Sequence, residues 1–329
     1  MKYFRLLFDN FTLALLAVVA VAAFFPATGP FEPFFDYLTL AAIALLFFLH
    51  GAKLSREALV AGVAHWRLHL LVFMCTFILF PILGLLLQPL LQPLTGEVLY
   101  QGVLFLCMLP ATVQSAIAFT SLARGNVSAA ICSAAASSLI GIIVTPLLVL
   151  LLLNAEQGGG IGLQAIWDIV LKLFVPFAAG QLCRPLLGSW IQRHGRLVHV
   201  VDQSSILLVV YSAFSASVVG GLWQVVPVWD LLALAAVCCL LLAIVLLLVW
   251  QLALRLGFDM EDRITILFAG SKKSMASGVP MAQVLFSGSM IGPMILPLML
   301  FHQIQLMVCA VLARRFAERI SAAAAVEPT

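Results

Sequence analysis

Charge is what this chain has least of. Among its 329 residues, 9% are Asp, Glu, Lys or Arg, against 64% apolar residues and a mean hydropathy of +1.15. A soluble domain carries roughly a quarter charged residues and about half apolar ones, so a single water-soluble domain is excluded, as are disordered and collagen-like chains. No tract of five or more basic residues occurs, and the net charge is only +3. A nucleic-acid partner would lack its electrostatic footprint. The seven cysteines sit in apolar runs with no CxxC spacing. They read as small buried hydrophobes, so neither a disulfide framework, a metal centre nor a cofactor is expected.

What remains is an all-α polytopic membrane protein. At about 20 apolar residues per crossing, the length accommodates roughly ten helices and no second domain. Apolar runs bounded by Pro, Gly or charge give ten spans, at 7–26, 35–53, 68–88, 99–123, 127–153, 165–187, 203–221, 230–255, 263–286 and 291–313. The N-terminal run has the basic start of a signal peptide, but Asp9 interrupts it and no small-residue cleavage pattern follows. It reads as a retained first helix. The longest irregular linker is glycine-rich, at 154–164, near mid-chain. This divides the chain into repeat one (1–153), repeat two (165–313) and a tail (314–329).

The few charges are sorted by side. Lys2, Arg5, Lys53, Arg56, Arg67, Arg124 and Arg184 fall on one side of the alternating spans, with Arg193, Arg196, Arg255, Arg263, Arg314, Arg315 and Arg319. The opposite loops at 27–34, 88–98, 154–164, 222–229 and 287–290 hold no Lys or Arg. One missed or extra helix would scramble that bias. By the positive-inside rule both termini are expected in the cytoplasm, with the chain in the cell's inner membrane. Five spans per half then enter the bilayer from opposite sides, as in an inverted-topology repeat. Gly141…Pro146-Leu147 and Gly292…Pro297-Leu298 share a G-x4-P-L pattern 151 residues apart, which is suggestive of the same thing.

Each half has one polar span, fourth in its repeat. The first runs Leu109-Pro-Ala-Thr-Val-Gln-Ser to Asn126, and the second Phe268-Ala-Gly-Ser-Lys-Lys-Ser to Met281. Backbone freed at such breaks finds no water in lipid, so they persist where protein or a cavity satisfies them. Paired interrupted helices at matching positions point to a transport site. Simple proline kinks with hydroxyls bonded to i−4 carbonyls are the bland reading of the same residues. Lys272 and Lys273 are the sharpest feature, because a cation at bilayer centre costs roughly 2.5–3.5 kcal/mol on insertion scales. Every acid lies near a predicted helix end, Asp202 among them, so the lysines have no evident carboxylate partner. Neutral amines, carbonyl partners or an incoming anion all remain open.

Other polar residues carry weaker signals. His302 and Gln305 share a face at i,i+3, which reads as an interhelical contact before a proton path. Ala129, Ser133, Ser137 and Gly141 form a small-residue stripe for close packing, with Ser133 and Ser137 as a second layer behind the site. Lys172 follows Asp168 by four, the spacing of a rim ion pair.

The stretch Leu109 to Gly141 (LPATVQSAIAFTSLARGNVSAAICSAAASSLIG) and the stretch Ala269 to Ala282 (AGSKKSMASGVPMA) are long and specific. Through them the chain resembles the bile acid:sodium symporter superfamily, in its bacterial SBF-like branch, over essentially its whole length. The resemblance implies ten helices in two inverted five-helix repeats. Broken helices 4 and 9 would cross at mid-membrane in a core domain, with a panel domain moving against it. It implies transport of an organic anion, usually with sodium. Arg124-Gly125-Asn126 and Ser277-Gly278 match family positions. Departures are as informative: Ala116 and Ile117 follow Ser115 where an Asn is expected, Ser271 stands for the sodium-binding Glu, and helix 3 offers no Gln.

The resulting expectation is a secondary transporter of an organic anion. Thr112, Gln114, Ser115, Ser271, Lys272, Lys273, Ser274 and Ser277 would form the substrate or ion site, with Ser133, Ser137, His302 and Gln305 behind them. The departures argue against the family's sodium site, and either H+ or Na+ stays open as coupling ion, with a lysine as built-in cation a further option. Two other classes fit the same residues. One is a non-transporting regulatory membrane protein on this fold; the other is an intramembrane hydrolase or acyltransferase with a Ser–Lys dyad at Ser271 or Ser274.

Overall fold

A computed structural model describes residues 10–29, 31–53, 65–153, 167, 170–221, 227–286 and 290–326. Among the described residues the chain is helical throughout, without strands. In chain order the helices are α1 (Asn10–Phe24), α2 (Phe31–Lys53), α3 (Trp66–Leu86), α4 (Gln88–Met108), α5 (Gln114–Leu122) and α6 (Val127–Leu152). They continue as α7 (Val170–Arg193), α8 (Gly195–Val219), α9 (Val228–Arg255), α10 (Met260–Gly270), α11 (Met275–Leu285) and α12 (Ile291–Val326). Eight described segments are long and apolar enough to cross a membrane. Their outer faces are apolar as well: Phe24, Leu182, Leu186 and Trp229 are each more than three-quarters exposed. Such a surface is tolerable in lipid and not in water. The protein is a polytopic membrane protein.

The helices form two groups. α2 lies along α7, and α8 packs on both α1 and α2, while α3 to α6 and α9 to α12 pack among themselves. Contact between the groups runs mainly through α8, which touches α11 and α12. Glycine sets the closest approach in the first group. A Cβ at Gly51 would lie 2.1 Å from Phe177 O, and one at Gly180 would lie 1.9 Å from Phe48 O. The α2 and α7 backbones meet there with no room for a side chain, the small-residue contact that membrane helices use in place of hydrophobic drive. In the second group Tyr100, Val103, Leu104, Phe105 and Leu106 of α4 are fully buried, and α4 is its central helix.

Two interruptions follow from the sequence. Pro93 and Gly96 kink α4, with Gly96 at φ 75° and ψ 165°, so 88–98, read as a loop, is helical on both sides of a bend. In α3 a π-turn at Cys75–Leu79 precedes Pro81. Other boundaries exceed those set by hydropathy. α8 starts at Gly195, eight residues before its apolar run, because Arg196 to Asp202 contains no helix breaker. Asp202, expected near a helix end, therefore lies two turns inside and is buried. α12 continues to Val326 for the same reason, past Arg314, Arg315 and Arg319. The glycine-rich 154–164 linker and Asp168, with its expected pair to Lys172, lie outside the described residues.

Candidate functional site

α4 ends where Pro110 denies the next turn its N–H, and five consecutive carbonyls must then find other donors. Each does. Leu106 O accepts from Leu109 N at 3.3 Å, Met108 O from Thr145 Oγ1 at 2.8 Å, and Pro110 O from Ser274 N at 2.9 Å. The remaining two, Cys107 O and Leu109 O, accept from Lys273 Nζ, each at 2.8 Å. Ala111 N, which would have reached back to Cys107 O, donates instead to Ser137 Oγ at 3.0 Å. Gly141, one turn further along α6, lets the break lie flat: a Cβ there would sit 2.6 Å from Pro110 Cβ. The small-residue stripe of α6 thus splits its duties. Ser137 and Gly141 hold the break, whereas Ser133 bonds His69 Nδ1 of α3 at 2.7 Å.

The second break, between α10 and α11, is held by side chains. Ser271 Oγ donates to Leu267 O at 2.5 Å, and Ser274 caps α11 by accepting from Ser277 N at 3.2 Å. Gln305 of α12 acts as a surrogate strand: its Oε1 accepts from Lys273 N and its Nε2 donates to Lys273 O, both at 2.9 Å. Gln305 Nε2 also donates to His302 Nδ1 at 2.9 Å. The two breaks touch through Ser274 N and Pro110 O.

Both lysines are fully buried. Lys273 Nζ takes a third bond, to Thr76 O of α3 at 2.7 Å, and lies 4.1 Å from the centre of the Phe80 ring. Thr76 O is available because of the π-turn. Phe80 N donates to Cys75 O, and the next residue, Pro81, has no N–H. All three carbonyl partners of the Lys273 amine are thus backbone oxygens left free by a proline or a helix end. Lys272 Nζ donates to Ser115 O at 2.8 Å and packs on aromatic faces, 4.0 Å from the Phe119 ring centre and 5.2 Å from that of Phe268. Of the three fates left open by the sequence, these contacts are carbonyl partners.

A cavity of about 560 Å³ opens beside the breaks. Thr112, Gln114 and Ser115 line it from the first break, Ser274 and Ser277 from the second, and His302 from α12. Ser271, Lys272, Lys273 and Gln305 lie behind this wall, as do Ser133 and Ser137. Within the wall Ser115 Oγ donates to Thr112 Oγ1 at 2.8 Å. The facing wall holds residues the sequence reading passed over: His50 and Lys53 of α2, and His199, Asp202 and Gln203 of α8. Lys53 forms an ion pair with Asp202, and Gln114 Nε2 reaches His199 Nδ1 across the cavity at 3.3 Å. Their signal was present: His50/Lys53 and His199/Asp202 are both i,i+3 pairs, each on one helix face. Placing Lys53 at the last position of its span and Asp202 near a helix end concealed it.

Residues 9–318 match the SBF-like CPA transporter family. The chain belongs to that family. It is 62% identical to PA2026 of Pseudomonas aeruginosa over 321 residues, covering 98% of this chain and 96% of the relative. Identity to the Escherichia coli protein named "Putative symporter YfeH" is 58% over 316 residues, covering 96% and 95%. The zebrafish (Danio rerio) protein named "Sodium/bile acid cotransporter 7" is 29% identical over 314 residues, covering 92% and 91%. Membership makes this chain a transporter and removes the hydrolase reading. The geometry agrees, since both lysine amines donate to backbone carbonyls and Ser271 Oγ to Leu267 O.

Proposed function

We propose that this protein is a secondary transporter that moves an organic anion through the cavity between its two helix groups. One observation carries the reading. The wall formed by the two breaks presents the first turns of α5 and α11, whose N-terminal ends carry partial positive charge. Directly behind Ser115 stands the Lys272 amine, and behind Leu109 that of Lys273. Among the described residues no acidic side chain lines this side of the cavity, and the hydroxyls of Thr112, Ser115, Ser274 and Ser277 offer hydrogen bonds to oxyanions. Lys53 faces them across the cavity, held by Asp202. The rest of the lining is largely apolar, with Phe11, Ile131, Leu139, Phe177, Ile206 and Leu306, which suits an amphipathic acid.

Alternating access then consists of α1, α2, α7 and α8 moving against the remaining helices, with Gln114–His199 breaking as the cavity opens. Counting α4 with α5, and α10 with α11, as single crossings gives ten spans among the described residues. The grouping supports two inverted repeats, since the first two and last three spans of each half sort together in space. Both termini face the cytoplasm on this reading, in the inner membrane. His50, His199 and His302 on the cavity wall favour the proton over sodium as coupling ion. The test is uptake into proteoliposomes of radiolabelled taurocholate and a set of smaller carboxylates and sulfonates, with imposed proton or sodium gradients. Saturable uptake of one of these anions, accelerated by an inward proton gradient, is expected. A protein that binds organic anions without moving them would be the regulatory alternative.

A further inference from the structure

The cage around Lys273 Nζ has the composition of a metal-free cation site. Three neutral carbonyl oxygens, Thr76 O, Cys107 O and Leu109 O, converge at 2.7–2.8 Å from two stretches of backbone, the middle of α3 and the end of α4. All three are left without helical partners by a proline or a helix end. The Phe80 ring closes a fourth side at 4.1 Å. Neutral oxygens with an aromatic face, and among the described residues no carboxylate bonded to Nζ, suit a monovalent cation better than a divalent one. We propose that the covalently attached Lys273 amine occupies a monovalent-cation site, and that removing its side chain leaves a site that takes a free ammonium or alkali ion.

The tethered amine cross-links α3, the end of α4 and the second break through a single nitrogen. Burial makes the arrangement stable only while occupied, because three buried carbonyls without a donor each carry a desolvation penalty. A lysine in that place never dissociates, so the geometry of both breaks is independent of ambient sodium. Sodium-independent uptake would follow, and that consequence rests on the transport reading above. The cation site itself does not.

The test is thermal melting of the full chain in lipid nanodiscs, in sodium, ammonium or N-methylglucamine chloride at equal ionic strength. Wild type should melt at one temperature, within about 1 °C, in all three salts. Lys273→Ala should melt lower in N-methylglucamine and rise by about 3 °C or more in ammonium or sodium, as a ligand that binds only the folded state requires. Lys273→Met fills the same space with carbon and should show no recovery. An Ala variant indifferent to all three cations overturns the proposal. So does a sodium-dependent rise in the wild type, which would reveal a dissociable ion. Absence of organic-anion uptake by the wild type would remove the transport reading and leave these melts unaffected.

Discussion

Gln305→Leu is the perturbation that the geometry prices most clearly. The Gln305 amide is fully buried and bonds both the N–H and the C=O of Lys273, each at 2.9 Å. Leucine fits the volume and supplies neither partner. A buried donor or acceptor stripped of its partner costs about 1–3 kcal/mol, so two orphaned groups predict a loss of about 2–6 kcal/mol. The lower half of that range applies if a water enters beside His302, which lines the cavity. Gln305→Glu should cost less, because a carboxylate still accepts from Lys273 N. The assay is reversible unfolding in mixed micelles. A Gln305→Leu effect below about 0.5 kcal/mol would refute the claim that side chains hold the second break.

Further outcomes follow from other contacts. Lys53→Met strands the Asp202 carboxylate and should destabilise by about 1–3 kcal/mol, below the 3–5 typical of a fully buried pair because Lys53 is one-third exposed; Lys53→Met/Asp202→Asn should recover most of it in melting curves. Asn126 caps α6 by accepting from Ala129 N and donates to Asp262 of α10 at 2.9 Å, so Asn126→Ala should cost about 1–2 kcal/mol in the same assay. Gly51→Val, whose Cβ would collide with Phe177 O, should lower the yield of folded protein sharply while Gly195→Ala, at an open position, leaves it unchanged. Ala135→Trp places a large ring in the cavity and should abolish uptake with little change in melting temperature.

The membrane class and the two breaks were legible because each rests on a local signal: scarce charge, and proline with hydroxyls inside an apolar run. The lysines were legible as an anomaly, yet their partners were not. Backbone carbonyls are the same in every sequence, and the one that completes the Lys273 cage is freed by a π-turn before Pro81, which hydropathy cannot register. Gln305 was noted for sharing a face with His302, whereas its main partner is the backbone of Lys273, 32 residues away. The α2/α8 wall of the cavity was missed for a different reason. Hydropathy marks where lipid ends and says nothing of where a helix ends, so Asp202 was assigned to a boundary that α8 passes through. Charges in the terminal turns of a span deserve pairing across helices before they are read as loop charges.

The measurement that bears most directly on the account is anion uptake into proteoliposomes at equal and opposed sodium and proton gradients, with wild type and Ala135→Trp side by side. Saturable uptake of an organic anion that needs no sodium, responds to the proton gradient and vanishes when the cavity is filled is expected. Uptake that requires sodium, or that survives the filled cavity unchanged, would contradict it.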